Sequence, residues 1–406
     1  MDCLDFQVIT QVSGYQIDSR FICPGDLFFA LKGVKTDGHH HLSEVAVRGG
    51  RAALVSEDYQ GESHGLTLFR VPDVLSTLQA LAKWSYRKQP TPIIGITGSV
   101  GKTTTKEFLA TLLEEKFHIG KSPLSYNSQI TFPLNILNRS GQEELLILEY
   151  GMSVPGEIAR LVKIAPPRIG ILTEIGLAHA QSFPEGLSAI AREKGMLFSS
   201  AQCVILHREF FSFYPDLPNK ISPEECSLKI PFQQSHLIKN ALLAITAARY
   251  LGLSWEEIHQ RLPHLHTPKR RFELFEKGGI QFINDAYNAN PSSMRAALQN
   301  LPPPKQGGKT VAVLASMKEL GTFSHSAHHE IGLFAQKYLD HLLVIGEEAL
   351  PLHTAFAQSQ KPAEFFHDHR TLAERLSQLT HPGDVVLVKG SLSMQLEKIF
   401  DALASL

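Results

Sequence analysis

The sequence predicts an α/β protein in three domains: a small N-terminal α/β unit over residues 1–88, a central P-loop domain with a doubly wound parallel sheet over 89–266, and a C-terminal Rossmann-like α/β domain over 267–406. Three observations predict it. Short apolar runs alternate with longer stretches of helical period along most of the chain. The stretch Thr91 to Leu113, TPIIGITGSVGKTTTKEFLATLL, joins one such run to a helix through a glycine-bearing turn. Thr267-Pro268 then interrupts the pattern as a natural linker before it resumes.

Composition narrows the class. With 406 residues, 43% hydrophobic and 19% charged, the chain can build full-sized cores and is not of disordered type. A formal net charge of −1 argues against a nucleic-acid binder that works through bulk positive charge. The cysteines Cys3, Cys23, Cys203 and Cys226 have no paired spacing, which fits a reduced cytoplasm better than a disulfide framework or zinc site. The start, MDCLDFQVIT, lacks the basic and apolar regions of a signal peptide, and no apolar run reaches the roughly 18 residues of a membrane span. A cytoplasmic monomer with no nucleic-acid partner and no membrane insertion is expected.

In the N-terminal unit, Leu27–Leu31, Ala52–Val55 and Leu66–Val71 read as strands and Val74–Trp84 as a helix. His39-His40-His41 is a short histidine tract. Without cysteines or carboxylates clustered beside it, a solvated loop is expected rather than a metal site.

The next element is the phosphate loop. Pro92–Ile96 is the apolar run of a buried parallel strand, and Lys102–Leu113 a helix with Phe108, Leu109, Leu112 and Leu113 on one face. A helix start offers unpaired N–H groups and the positive end of its dipole, and Gly98 and Gly101 let the backbone curl round a phosphate. Lys102 supplies a mobile positive charge, and the Thr103 hydroxyl is placed to hold Mg²⁺. Ser99, Val100 and Thr104 complete the expected ATP-binding loop. The common form of this loop has a glycine where Ile96 stands.

Farther on, Ser122–Pro133 reads as a polar loop carrying Asn127, expected at the substrate. Glu144–Glu149 is a buried strand ending in a carboxylate, the position of a Mg²⁺-binding acid, with a helix cap or turn residue as the lesser reading of one acid there. The strand Arg168–Thr173 leads to His179; Ala189–Gly195 is a helix carrying Lys194; Cys203–Leu206 is a strand, and Pro231–Gly252 a long helical stretch with Asn240 inside it. Beyond the linker, Ile280–Asp285, Thr310–Leu314, His341–Gly346 and Asp384–Val388 read as parallel strands, and Ser393–Leu406 as an amphipathic closing helix.

Taken together, Thr97–Thr103, Glu149-Tyr150-Gly151-Met152, Gly176-Leu177-Ala178-His179, Ala191–Gly195 and Asn284–Pro291 resemble the motifs of the Mur ligase family over nearly the whole chain. The family's own ATP loop accounts for Ile96. Tyr287–Pro291, Ser316-Met317-Lys318-Glu319-Leu320-Gly321, Val388-Lys389-Gly390-Ser391 and Asp26–Gly33 resemble the branch that uses D-alanyl-D-alanine. One departure is Leu237, where the family usually has asparagine beside the histidine.

The resemblance implies an ATP-dependent ligase that adds D-alanyl-D-alanine to UDP-N-acetylmuramoyl-tripeptide through an acyl phosphate. It implies Thr103 and Glu149 on one Mg²⁺, His179 and a carbamylated Lys194 near a second, Asn240, Arg271, Asp285 and Asn288 at the nucleotide, and Ser19 and Arg20 at the UDP end. Without the resemblance, Lys194 reads as a surface lysine, Arg271 as a hinge-surface ion pair, and Ser19 and Arg20 as a solvated turn. Two alternatives stay open: another amide ligase of this superfamily, such as the ligase that adds the third residue or a folate polyglutamylating enzyme, and a regulatory P-loop ATPase. The third-residue ligase usually carries an Asp-Asn-Pro-Arg segment, absent here.

Overall fold

A computed structural model describes residues 6–33, 36–224, 228–305 and 307–405, so Cys3, Cys226, the first residues of the N-terminal stretch and Leu406 lie outside the described residues. The architecture is α/β, built on three sheets.

The N-terminal sheet has four parallel strands in the order Tyr15–Gln16, Leu27–Phe29, Ala52–Ser56, Thr67–Val71. Successive side chains on a strand point to opposite faces, and here each face has a different neighbour. Phe28, Ala30, Ala53 and Val55 pack with Ile22, Leu42 and Val45 into a cluster private to this unit. Leu27, Phe29 and Leu54, with Leu78 and Leu81 of the helix Val74–Lys88, join Phe132, Leu148 and Tyr150 of the central domain in one continuous core. The N-terminal unit thus has its own sheet but only half of its own core. The histidine tract forms a 3₁₀ turn, Gly38–His41, and not a wholly solvated loop. His39 is buried: its Nδ1 lies 2.6 Å from Asp37 Oδ1 and its Nε2 accepts the Ser56 N–H at 3.0 Å.

The central sheet has six parallel strands, ordered Lys220–Ile221, Cys203–Leu206, Ile169–Leu172, Ile93–Thr97, Leu145–Glu149, Ile119–Lys121. Ile93–Thr97 comes first in sequence within this sheet yet lies in its interior, flanked by strands from both later halves. That is the switch point where strand order reverses and loops diverge, leaving a crevice at the carboxyl ends. Ile96 is still within this strand, buried and in register with Glu149, so the phosphate loop proper starts at Gly98. The expected polar loop after Ser122 is shorter than anticipated, because a helix begins at Thr131.

The C-terminal sheet runs Glu273–Lys277, Ile280–Asp285, Val385–Lys389, Thr310–Ala315, His341–Ile345, Ala363–Phe366. It is not wholly parallel: Glu273–Lys277 pairs antiparallel with Ile280–Asp285 through a hairpin at Gly278-Gly279, both at positive φ. Among the described residues no helix is long and apolar enough to cross a membrane.

Candidate active site

The carboxyl ends of the central strands face those of the C-terminal sheet across a cavity of about 960 Å³. One wall is the phosphate loop. Gly101 caps the helix Lys102–Leu113 in the left-handed region, φ 88°, and a Cβ there would come within 2.5 Å of Asn240 Oδ1. The loop is held by its neighbours. The Ser99 N–H donates to the Glu174 carbonyl, and Ser99 Oγ both donates to the Gly176 carbonyl at 2.8 Å and accepts its N–H at 2.9 Å. Thr173 Oγ1 donates to the Val100 carbonyl. Lys102 Nζ donates to the Gly98 carbonyl at 2.6 Å, folded back over its own loop. Burial pulls its ammonium below the ordinary lysine range, Arg271 adds to that, and Glu149 opposes it.

Glu149 is wholly buried at the end of its strand. Asn127 Nδ2 donates to its Oε2 at 3.1 Å, and Lys106 Nζ stands 3.2 Å from Oε1. That ion pair is close but misaligned, so Oε1 carries no hydrogen bond. Lys106, also wholly buried, donates to the Ser122 carbonyl at 2.7 Å. One lysine on the buried side of the phosphate-loop helix therefore pins both Glu149 and the loop that starts at Ser122.

The facing wall reaches across the domain boundary. Arg271 donates to Thr103 Oγ1 at 2.9 Å and to Ser125 Oγ at 3.0 Å, with its guanidinium 3.9 Å from the Tyr287 ring centroid. It is a contact to the phosphate loop, not a hinge-surface ion pair. His179 Nδ1 lies in close contact with Glu319 Oε2 of the C-terminal domain. Asp285 lines the cavity with both oxygens already engaged: Oδ1 accepts the Phe272 N–H at 3.1 Å and Oδ2 pairs with buried Lys389 at 2.6 Å. Asn288 lends its carbonyl to Lys389 and its Oδ1 to the Ala289 N–H.

Of the residues expected at the nucleotide, 99–104, Asn240, Arg271, Asp285 and Asn288 line the cavity, as do Asn127, Glu149 and His179. Lys194 does not line it, and it is no surface lysine. It is 2% exposed, and its amine has no hydrogen bond or ion pair among the described residues. Burial drives its ammonium well below the ordinary range, helped by Lys102 and opposed by Glu193. Glu193 itself accepts the Gly156 and Ile158 N–H groups. Ser19 and Arg20 also lie off the cavity. Ser19 Oγ donates to Glu44 at 2.7 Å, and exposed Arg20 pairs with Asp18 at 2.6 Å.

Comparison with known proteins places this geometry. Family models match in three consecutive segments: "Mur ligase family, catalytic domain" over residues 11–86, "Mur ligase middle domain" over 96–211, and "Mur ligase, glutamate ligase domain" over 270–392. A UDP-N-acetylmuramoyl-tripeptide–D-alanyl-D-alanine ligase of Treponema pallidum is 32% identical across 95% of this chain and 92% of its own length. That of Synechocystis sp. is 30% identical across 95% of this chain and 90% of its own. The chain belongs to the Mur ligase family. Its fold superposes on the MurF ligase of Thermotoga maritima in complex with ADP with a TM-score of 0.82, at 28% identity over 98% of both chains. For MurF of Acinetobacter baumannii the TM-score is 0.83, at 25% identity over 97% of this chain and 94% of that one.

Several residues of this Mur ligase site were given no role by the motif reading. Lys106 had a usable signal, a lysine one helical turn after Lys102 on a face otherwise buried. Glu319 and Lys389 stand in stretches that carry the resemblance, but neither they nor Ser125 had a signal for a role, because the partners of Ser125, Glu319 and Lys389 are 22, 140 and 104 positions away in sequence, at Thr103, His179 and Asp285. Glu174, half-buried beside the loop, has its carboxyl pushed up to about 7 by burial, with Lys239 opposing. Leu237 belongs to the central hydrophobic core, which gives an apolar side chain a packing role at that position.

Proposed function

We infer that the protein is an ATP-dependent ligase that joins D-alanyl-D-alanine to UDP-N-acetylmuramoyl-tripeptide, completing the pentapeptide of the peptidoglycan precursor. The observation that carries the reading is a phosphate loop forming one wall of a cavity whose other wall, with Arg271 at its tip, comes from the next domain. Kinship along nearly the whole chain with ligases named for that reaction supplies the substrates. ATP as the nucleotide is supported by the ADP bound in the Thermotoga maritima relative. The cytoplasm, where ATP and nucleotide-linked precursors meet, is the proposed place of action.

The chemistry follows from charge. An oxygen of the tripeptide's terminal carboxylate attacks the γ-phosphorus of ATP, the bond to the bridging oxygen breaks, and ADP leaves. The amine of the dipeptide then attacks the acyl carbon, phosphate departs with its oxygen, and the nitrogen gives up a proton. Both partners of the first step are anions, so positive charge must stand between them. Lys102 and the backbone N–H groups of 99–104 are the proposed phosphate cradle, and Arg271 the cation brought in from the facing wall. Asn240, Asp285 and Asn288 are proposed to border the nucleoside, and Asn127, Ser19 and Arg20 the UDP-linked substrate.

Magnesium suits the donors present. Glu149 Oε1 is buried with no hydrogen bond, and the Thr103 hydroxyl opens onto the same cavity. One carboxylate and one hydroxyl, completed by phosphate and water, match magnesium's habits, and no cluster of three His, Cys, Asp or Glu side chains exists among the described residues to favour a protein-caged metal. Bound there, the cation would offset charge on the transferred phosphoryl group. His179 is proposed to face a second ion. Lys194 is proposed to carry a carbamate. Burial shifts its unpaired amine towards the neutral form, the form that adds CO₂ with loss of a proton, and the product is an anion. Carbon-13 NMR under labelled bicarbonate tests this: no carbamate signal lost in Lys194→Ala would remove the proposal.

The decisive assay is phosphate release from ATP with UDP-N-acetylmuramoyl-tripeptide, D-alanyl-D-alanine added or withheld, and mass detection of the pentapeptide. Release requiring both substrates is expected. Release with another amino acid would keep the ligase and change the acceptor, and release with neither would favour a simple ATPase.

A further inference from the structure

His179 and Glu319 sit on different domains and on matching backbone oddities. His179 lies in the loop after the strand Ile169–Leu172, Glu319 in the loop after Thr310–Ala315. Both adopt left-handed φ, 56° and 64°, a region non-glycine residues occupy at a penalty of order 1 kcal/mol or more. The strain is shared by one contact. His179 Nδ1 is closed off from solvent in close contact with Glu319 Oε2, though out of line for a hydrogen bond, and alongside it the Gln181 N–H donates to the Glu319 carbonyl at 3.0 Å. The adjacent Lys318 does not compete, since it pairs with Glu348 at 2.7 Å.

With Nδ1 covered, Nε2 is the ring nitrogen left open, on a residue that lines the cavity. A histidine that binds a metal commonly donates its other N–H to a carboxylate, which fixes tautomer and ring orientation. We propose that Glu319 is a positioning residue for His179: from the C-terminal domain it holds the imidazole with Nδ1 protonated and Nε2 presented to a divalent cation in the cavity. The inference rests on the reading of His179 as a cation ligand. It gives the Ser316–Gly321 segment a task, to complete from one domain a cation site begun on the other. Glu319 is more than half exposed, so its value lies in orientation rather than in stability.

Two readouts test it on the full-length protein. In nitrogen-15 histidine spectra of the metal-free enzyme, His179, assigned by its loss in His179→Ala, is expected as the Nδ1–H tautomer. Glu319→Ala is expected to shift it towards the Nε2–H form, while Glu319→Gln, whose amide oxygen still accepts, keeps it. In Mn²⁺ titrations followed by electron paramagnetic resonance with ADP present, Glu319→Ala is expected to weaken binding by about 10- to 100-fold, and Glu319→Gln by less. An unchanged tautomer and unchanged Mn²⁺ affinity in Glu319→Ala, with His179→Ala impaired, would overturn the role of Glu319. Normal Mn²⁺ binding in His179→Ala would instead overturn the reading beneath it.

Discussion

The two walls of the cavity are built on opposite plans. On the central wall, each key group is held by residues of its own domain: Lys102 by Gly98, Ser99 by Gly176, Glu149 by Asn127 and Lys106. On the C-terminal wall, Arg271 stacks on Tyr287 of its own domain, but the polar partners of Arg271 and Glu319 lie across the boundary, at Thr103, Ser125 and His179. The first wall is preorganised by local folding. The second becomes a wall only when the domains dock. Substitutions on the former should remove chemistry and leave assembly intact, whereas those on the latter should act through docking, affinity and geometry.

That contrast can be broken or sharpened. The largest effect is expected at the internal strut of the C-terminal wall. Lys389→Met strands the Asp285 carboxylate, and breaking such a buried pair should destabilise the protein by about 3 kcal/mol, read from chemical denaturation. Next, Lys102→Ala should lower kcat at least ~10²-fold, the scale of one preorganised charge contact, with an unchanged melting temperature. Near-normal turnover would end the case for a prebuilt phosphate wall. Arg271→Ala should lower kcat/KM for ATP by roughly 10-fold, and Arg271→Lys should recover little, because an ammonium cannot reproduce a planar group that lies flat on Tyr287 while one of its nitrogens bonds both Thr103 and Ser125. Full recovery by lysine would mean that charge alone matters there.

The smallest effect is a pH dependence at Glu174. Its folded carboxyl is raised to about 7, above its unfolded value, so the stability it contributes is complete in acid and is lost as pH climbs towards 7. Glu174→Gln should escape that loss, and the melting-temperature gap between variant and parent should widen between about pH 5 and 8. A constant gap would show that the carboxyl is not desolvated.

Legibility followed the same divide. The helix Lys102–Leu113 starts and ends where its sequence puts it, and Glu149 closes its strand as read, because strand, turn and helix signals are local. The edge strand Glu273–Lys277 gave no such signal, since ELFEK is mostly solvent-facing and lacks an apolar run. Lys106 broke the expectation that lysines stay at the surface, a tertiary fact explained by its contacts with Glu149 and the Ser122 carbonyl. Lys194 was open to an ordinary surface reading for the same reason, and only packing shows its burial.

The core that runs from Leu27, Phe29 and Leu54 into Phe132, Leu148 and Tyr150 has a consequence for how the molecule comes apart. Apolar continuity makes cooperative units, whatever the number of sheets. In native-state hydrogen exchange, amides of the first sheet and of the strand beside the phosphate loop should therefore open together, at one free energy. The hairpin edge Glu273–Lys277, exposed on most of its residues, should exchange earlier and alone. Three sheets would then report as fewer bodies, and a cut near residue 88 would not release a stable N-terminal fragment.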